Sequence, residues 1–239
     1  MATQPIELKV ASRDIVRGRP DGTFLTFYIP TEHKNGFVFV LADIDPSCQA
    51  TAAIVSLFRE QLELLAQGLD ADSHLQHRFE QALHVINAEI AQHIEDGQCP
   101  PDSLHALVGI VHERSFVMSA VGGLHAIFLR KTAKQRFKMF DLSRSLQTER
   151  GNVKTEKVFS VVLDGALQPN DVFLVGSRQL HSLLDLEELH PLISTLPPAG
   201  ALETIEQYVP ARGSLSLLLI QVRKQKDLLT GYGPDVTSE

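Results

Sequence analysis

LQPNDVFLVGSRQLHSLL, residues 167–184, holds a turn, a strand and a helix start in succession. Pro169-Asn170-Asp171 is turn chemistry: Pro presets φ, and Asn and Asp bond their own backbone. Val172–Val175 is a short apolar run of strand length, and its lack of polar alternation marks it as buried. The chain then leaves the strand at Gly176-Ser177-Arg178 and turns helical.

The flanking sequence has the same character. Thr23–Pro30 and Phe37–Ala42 read as strands, and Asn35-Gly36 between them is a strong hairpin signal. The second strand delivers Asp43 at its end. Ser47 is the expected cap of a helix over 47–67, with Ala53, Leu57, Leu62 and Leu65 on or near one face and Gly68 as its stop. A second helix is expected over 73–95. Leu75, Phe79, Leu83, Ile86, Ile90 and Ile94 recur at steps of three and four, which makes a core-facing stripe. After residue 103 the period shortens. Leu104–Val111, Phe116–Val121, Leu124–Leu129, Arg136–Phe140, Val158–Leu163 and Val172–Val175 read as strands whose short connections favour antiparallel pairing. Leu186–Ser194 and Ala201–Tyr208 are short helices, and Leu215–Val222 is a last buried strand. This order specifies an α+β domain, and two stacked antiparallel sheets flanked by helices satisfy it. The helices 47–67 and 73–95 are expected together on one outer face.

Composition narrows the function classes. The chain has 239 residues and a formal charge of −7. That length supports one large domain with a sizeable core, taken as residues 1–223, with the polar stretch 224–239 as a tail or linker. The acidic balance argues against a general nucleic-acid binder. Cys48 and Cys99 do not make a disulfide framework, so a reducing, cytoplasmic setting is expected. MATQPIELKV lacks the pattern of a secretion signal, and no apolar stretch reaches membrane-span length. No Walker loop, G-x-S-x-G elbow, dinucleotide fingerprint or zinc-deaminase signature is present.

The frame of 167–184 resembles that of the metal-dependent Ser/Thr phosphatases of type 2C, in which "pGD" and an apolar strand precede Ser-Asp-Gly. The matching residues here are Gly176, Ser177 and Arg178, so the family's metal-binding Asp falls on Ser177. FVFVLADID, 37–45, resembles the family's "lfaVaDGmGG", which places Asp43 on a metal ligand and Ile44 on the Gly that lends a carbonyl. Asp21, in GRPDGTF, falls near the acidic residue of the "NED" motif. SLHALVGIVHERSFVMSAVGGLHAIFLRK, 103–131, resembles a further strand pair, with Gly122-Gly123-Leu124 in place of Gly-Asp-Ser. ARGSLSLLLIQV, 211–222, resembles "DDaTlvvv", with Ala211 and Arg212 at its acidic positions. The resemblance spans residues 5–223, rests on order and spacing more than on matching letters, and implies an α-β-β-α sandwich.

It also implies a reaction that uses two divalent ions, Mg or Mn, to generate hydroxide and stabilise phosphoryl transfer. Hard cations need several oxygen ligands. Asp21 and Asp43 are the two carboxylates retained, and Asp45 could add a third oxygen. Nothing obvious replaces the ligands lost at 177, 211 and 212. The resulting expectation is a vestigial site of Asp21, Asp43, Asp45, Ser177, Arg178 and Arg212 with no catalytic residues, no metal and no cofactor. Two carboxylates left together repel, and a guanidinium pairs with carboxylates in a fork. Arg212, or failing that Arg178, is therefore expected within salt-bridge distance of Asp43 or Asp21.

Two further groups stand out. His74, His77 and His84 lie on the second helix near Asp70 and Asp72. His74 and His77 could share a transition metal, but His84 is about 15 Å along the helix, and a hydrated face is the preferred reading. Residues 131–157 hold eight Lys or Arg against three acidic residues. Lys131, Lys134, Arg136, Lys138 and Arg144 form a possible patch for an acidic partner, although a solvated hairpin with a mobile loop is the preferred reading.

The sequence thus points to an inactive type-2C-like phosphatase domain that acts as a regulatory, protein-binding module in signalling. The alternatives are an active phosphatase with an irregular metal site, and a structural or assembly protein that uses the fold for oligomer contacts.

Overall fold

The computed structural model describes residues 6–17, 22–31, 36–69, 74–132, 136–146 and 157–224. In chain order the elements are β1 (Ile6–Val16), β2 (Thr23–Pro30), β3 (Gly36–Ile44), α1 (Thr51–Gln67), α2 (Leu75–Glu95), β4 (Leu104–His112), β5 (Ser115–Val121), β6 (His125–Lys131) and β7 (Phe137–Asp141). There follow α3 (Ser143–Leu146), β8 (Val162–Ala166), β9 (Val172–Gly176), α4 (Leu180–Leu183), α5 (Leu186–Thr195), α6 (Pro198–Glu206) and β10 (Ser214–Lys224). The strands form two five-stranded sheets, β1-β10-β9-β6-β7 and β2-β3-β4-β5-β8. Every strand pair among the described residues is antiparallel. Because β10 runs to Lys224, the expected boundary at 223 falls inside it. The tail beyond lies outside the described residues.

Three apolar layers hold the sandwich together. Ile54, Phe58 and Leu62 of α1 and Phe79, Leu83, Ile86 and Ile90 of α2 pack on Val38, Val40, Val108 and Ile110. Phe39, Leu41, Leu107, Phe128, Phe173, Val175, Leu218 and Ile220 fill the space between the sheets. The helices α4, α5 and α6 cover the other outer face through Leu180, Leu189, Ile193, Leu202 and Ile205. The α2 stripe is the one read from its periodicity. In α1, Leu62 and Leu65 are buried as expected, but the first two turns bury Ile54 and Phe58 in place of Ala53 and Leu57, with Ala53 exposed.

Local chemistry departs from expectation at three places. Ser47 does not cap α1, which starts at Thr51 after Ala50 without a side-chain cap. Instead the Asp45 carboxylate accepts the Ser47 amide at 2.9 Å and shapes the turn. The strand expected at 158–163 begins only at Val162. Val158 and Phe159 are a buried plug, held by Asn87, which donates to the Phe159 carbonyl and accepts its amide. Finally, Ile6–Val16, not anticipated as a strand, pairs along its whole length with β10. No helix is long and apolar enough to cross a membrane among the described residues.

Candidate functional site

Strand alternation builds the site. In β3, Val38, Val40 and Ala42 face the helices, so Phe37, Phe39, Leu41 and then Asp43 face the opposite sheet. In β4 the register pairs Asp43 with His105. From the other sheet, the parity of Phe173 and Val175 carries Ser177 to the same end of the cleft, and Leu218 and Ile220 do so for Ser216. The inter-sheet core therefore ends in a polar mouth.

At that mouth Arg178 reaches across to Asp43. Its Nε donates to Oδ2 at 2.9 Å, and an Nη lies 3.4 Å from Oδ1. The Asp43 side chain is 1% exposed and that of Arg178 36%, so the charge pair lies at the edge of water. The stem of Arg178 runs beside Gly123, where an added Cβ would touch its Cγ at 3.7 Å. The Gly123 amide donates to His105 Nδ1 at 2.9 Å. This acceptor role puts the ring proton of neutral His105 on Nε2, a buried atom with no hydrogen-bond partner among the described residues. Behind Arg178, His125 Nε2 lies 3.2 Å from the Arg178 carbonyl, and its ring packs edge-on to His181 with centroids 4.0 Å apart.

Both histidines are poised to stay neutral. Burial pushes His105 below its ordinary value, aided by the Arg178 cation and opposed by Asp43, Asp102 and Asp45. Burial, then His181, does the same to His125. A folded state that resists protonation binds fewer protons than the unfolded chain. Stability is then full above the ordinary histidine value and falls as the pH drops through it toward the folded value. Urea melts should show lower stability at about pH 5.5 than at about pH 7.5. His105→Gln can still accept the Gly123 amide without titrating, and should flatten part of that slope. An unchanged slope would mean that His105 is not a contributor.

The expected site residues separate. Arg178, not Arg212, is the cation on Asp43, and the correction has a physical cause. Arg212 is exposed in the turn before β10, and no ion pair joins it to a described residue. Ser177 is fully buried, but its hydroxyl faces Gln179 at 2.9 Å and the Ser216 amide at 3.2 Å. Position 178, one residue on, is the one that meets Asp43. Asp45 is spent on the Ser47 amide, which lowers its pKa. Asp21 lies outside the described residues, although the next residue, Gly22, sits beside Asp43, with an added Cβ 3.5 Å from Oδ1. His105 and His125 were not singled out for the site from sequence.

The two peripheral groups are now placed. His74, His77 and His84 are exposed, and His77 shares a hydrogen bond with Gln81. In the basic stretch, Lys134 lies outside the described residues. The β6–β7 register sets Lys131 opposite Phe137 and Lys138 opposite Arg130, so Lys131 and Lys138 occupy opposite faces of the sheet. Arg130 is committed elsewhere. It forks onto the buried carboxylate of Asp171 at 3.1 and 2.7 Å, which fixes the turn before β9. Arg136, Lys138 and Arg144 are exposed.

A two-metal centre needs several carboxylate oxygens converging on each ion. No group of three or more His, Cys, Asp or Glu side chains that could hold a metal ion is present among the described residues. The Asp43 carboxylate is engaged by Arg178. The described donor set does not fit such a centre.

No family model and no curated protein matches the sequence. Solved structures match its shape. PppA, a key regulatory component of the T6SS in Pseudomonas aeruginosa, is 18% identical with a TM-score of 0.65, over 92% of this chain and 100% of that one. The Ser/Thr phosphatase Stp1 from Staphylococcus aureus is 12% identical with a TM-score of 0.66, over 92% and 97%. The catalytic domain of the Ser/Thr phosphatase PstP, solved with two manganese ions, is 12% identical with a TM-score of 0.63, over 91% and 99%. With its paired antiparallel sheets between helical layers, this chain has the fold of the metal-dependent Ser/Thr phosphatases of type 2C.

Proposed function

We propose that this protein is a pseudophosphatase: a type-2C-like domain that binds a protein partner in signalling and does not hydrolyse phosphate esters. The observation that carries this reading is the Asp43–Arg178 pair. Asp43 is the retained carboxylate that best matches a metal ligand, and a guanidinium holds it in a fork. A divalent ion at Asp43 would have to displace a cation that belongs to the chain. Arg178 thus takes over the electrostatic part of a metal's task, compensating a buried carboxylate, without supplying the open coordination that activates water. PppA offers a parallel, since that neighbour is described as a regulatory component. Among the described residues of the basic stretch, Arg136, Lys138, Arg144 and Lys157 are exposed and available to an acidic partner. Two buried free cysteines suit a reducing, cytoplasmic setting.

The competing reading is an active phosphatase with an irregular metal site, and the shared fold favours it. The test is hydrolysis of a phosphopeptide and of a simple aryl phosphate with Mg²⁺ or Mn²⁺, alongside titration calorimetry of Mn²⁺. We expect no turnover above the protein-free rate and no Mn²⁺ binding. Metal-dependent turnover that disappears in Asp43→Asn would overturn the proposal, whereas turnover indifferent to that change marks a contaminant.

A further inference from the structure

Cys48 and Cys99 are 51 positions apart, yet their sulfur atoms are 2.8 Å from each other. Cys48 lies in the turn between β3 and α1, five residues after Asp43. Cys99 lies in the connection from α2 to β4, six residues before His105. These two stretches already hold each other. The Gln49 amide donates to the Gln98 carbonyl at 2.7 Å, and the Asp45 amide to the Ser103 carbonyl at 2.7 Å. Both cysteines are free thiols. The backbone around the pair is therefore fixed on both sides, and a bond between the sulfurs would not require the loops to come together.

We propose that Cys48 and Cys99 are a reversible thiol–disulfide pair, oxidised by hydrogen peroxide, that staples the base of the Asp43–Arg178 site. Cys48 is 4% exposed and Cys99 fully buried, so peroxide meets Cys48 first. The Cys48 sulfur attacks one peroxide oxygen, the O–O bond breaks, and Cys48 becomes a sulfenic acid with release of one water. The Cys99 sulfur then attacks the Cys48 sulfur. The S–S bond forms, the S–O bond breaks, and the hydroxyl leaves with the Cys99 proton as a second water. The two sulfurs give up two electrons in all, and the peroxide takes them. Burial and the neighbouring Cys48 push the Cys99 thiol up to about 11. Since the thiolate is the nucleophile, the second step is slow. A dithiol reverses the bond.

The disulfide would close a loop containing the whole α1–α2 layer. Closing a loop of this length restricts the unfolded chain, so the oxidised protein should melt several degrees higher. The test treats the purified full chain with hydrogen peroxide, unfolds it, alkylates free thiols with N-ethylmaleimide, and reads the intact mass. The expected product has lost two hydrogen atoms, takes no label, yields a proteolytic fragment joining the Cys48 and Cys99 peptides, and regains both thiols in dithiothreitol. Its raised Tm should return to the starting value on reduction. Three results would overturn the proposal: both thiols still labelled after prolonged treatment, Cys48 carried to a sulfinic acid with no cross-link, or a disulfide between two chains on a non-reducing gel. The wild-type protein supplies each of these readouts. Cys48→Ser, if it folds, should show neither the cross-link nor the shift in Tm.

Discussion

Arg178→Ala is expected to lower the stability by about 2–3 kcal/mol. Removing one partner of a buried ion pair typically costs about 3–5 kcal/mol, because the other charge is left without compensation. Asp43 meets that condition at 1% exposure, but the Arg178 side chain is 36% exposed. Water screens the pair from one side and lowers the figure. For a chain of this size the loss corresponds to a fall in Tm of about 4–12 °C. Asp43→Asn alone should cost less, because Arg178 can turn its charge into solvent. The double variant should recover part of the Arg178→Ala loss, giving a coupling energy of about 1 kcal/mol or more. Arg178→Lys keeps the charge but loses the fork, and should fall between wild type and alanine. Arg212→Ala, on an exposed turn, should stay within about 0.5 kcal/mol of wild type. Urea denaturation of the wild type and these five variants decides the matter. If Arg178→Ala and Asp43→Asn simply add, the two residues are not coupled, and the idea of a cation built into the chain fails whatever the fold.

That contrast between two arginines shows how far the sequence could be read. Arg212 occupied a position matched to a lost acidic residue and Arg178 the position just after one, and both sat next to strand ends. Side-chain direction there depends on the backbone of a loop, and no periodicity encodes it. Where periodicity does operate, the reading was close. The α2 stripe, the β2–β3 hairpin and the apolar β9 and β10 are all legible from spacing alone. The paired sheets and the helical layers followed from the element order and the family resemblance together. β1 was missed for the opposite reason. It is an edge strand in which Ile6, Leu8 and Val10 alternate with Glu7 and Lys9, but that alternation breaks down over residues 11–14 and only Ile6 and Ile15 are buried, so the signal is short and weak. His105 was missed because its role comes from cross-strand register. β3 and β4 are neighbours in the sheet but are separated in sequence by both long helices, so no turn fixes the pairing of Asp43 with His105. The Val158–Phe159 plug misled in another way. Apolar residues that fill a gap under a helix look, over so short a stretch, like a strand.

Gly122→Ala is expected to cost about 3 kcal/mol or more, against less than about 1 kcal/mol for Gly123→Ala. The two glycines are adjacent in the turn between β5 and β6, yet they meet different surroundings. Gly122 has φ +75°, the left-handed region in which an L side chain is strained by about 1–2 kcal/mol. A Cβ there would also lie 2.8 Å from His105 Cγ and 2.9 Å from the His105 Cα, with Nδ1 closer still. The ring could swing away only by giving up the bond from the Gly123 amide, and the Cα cannot move without shifting β4. Strain, overlap and a lost hydrogen bond therefore act in the same direction, and they act on the strand pair that presents Asp43. At Gly123 the nearest atoms to an added Cβ are Arg178 Cγ at 3.7 Å and Cδ at 3.9 Å, which is ordinary contact with a flexible side chain. Adding His105→Ala to Gly122→Ala removes the ring overlap but not the backbone strain, so it should restore only part of the loss. Thermal melts of the three variants are sufficient to test this. Equal losses at positions 122 and 123 would mean that the turn is not held in the conformation described, and that the packing of His105 against it does not set the geometry of the Asp43 site.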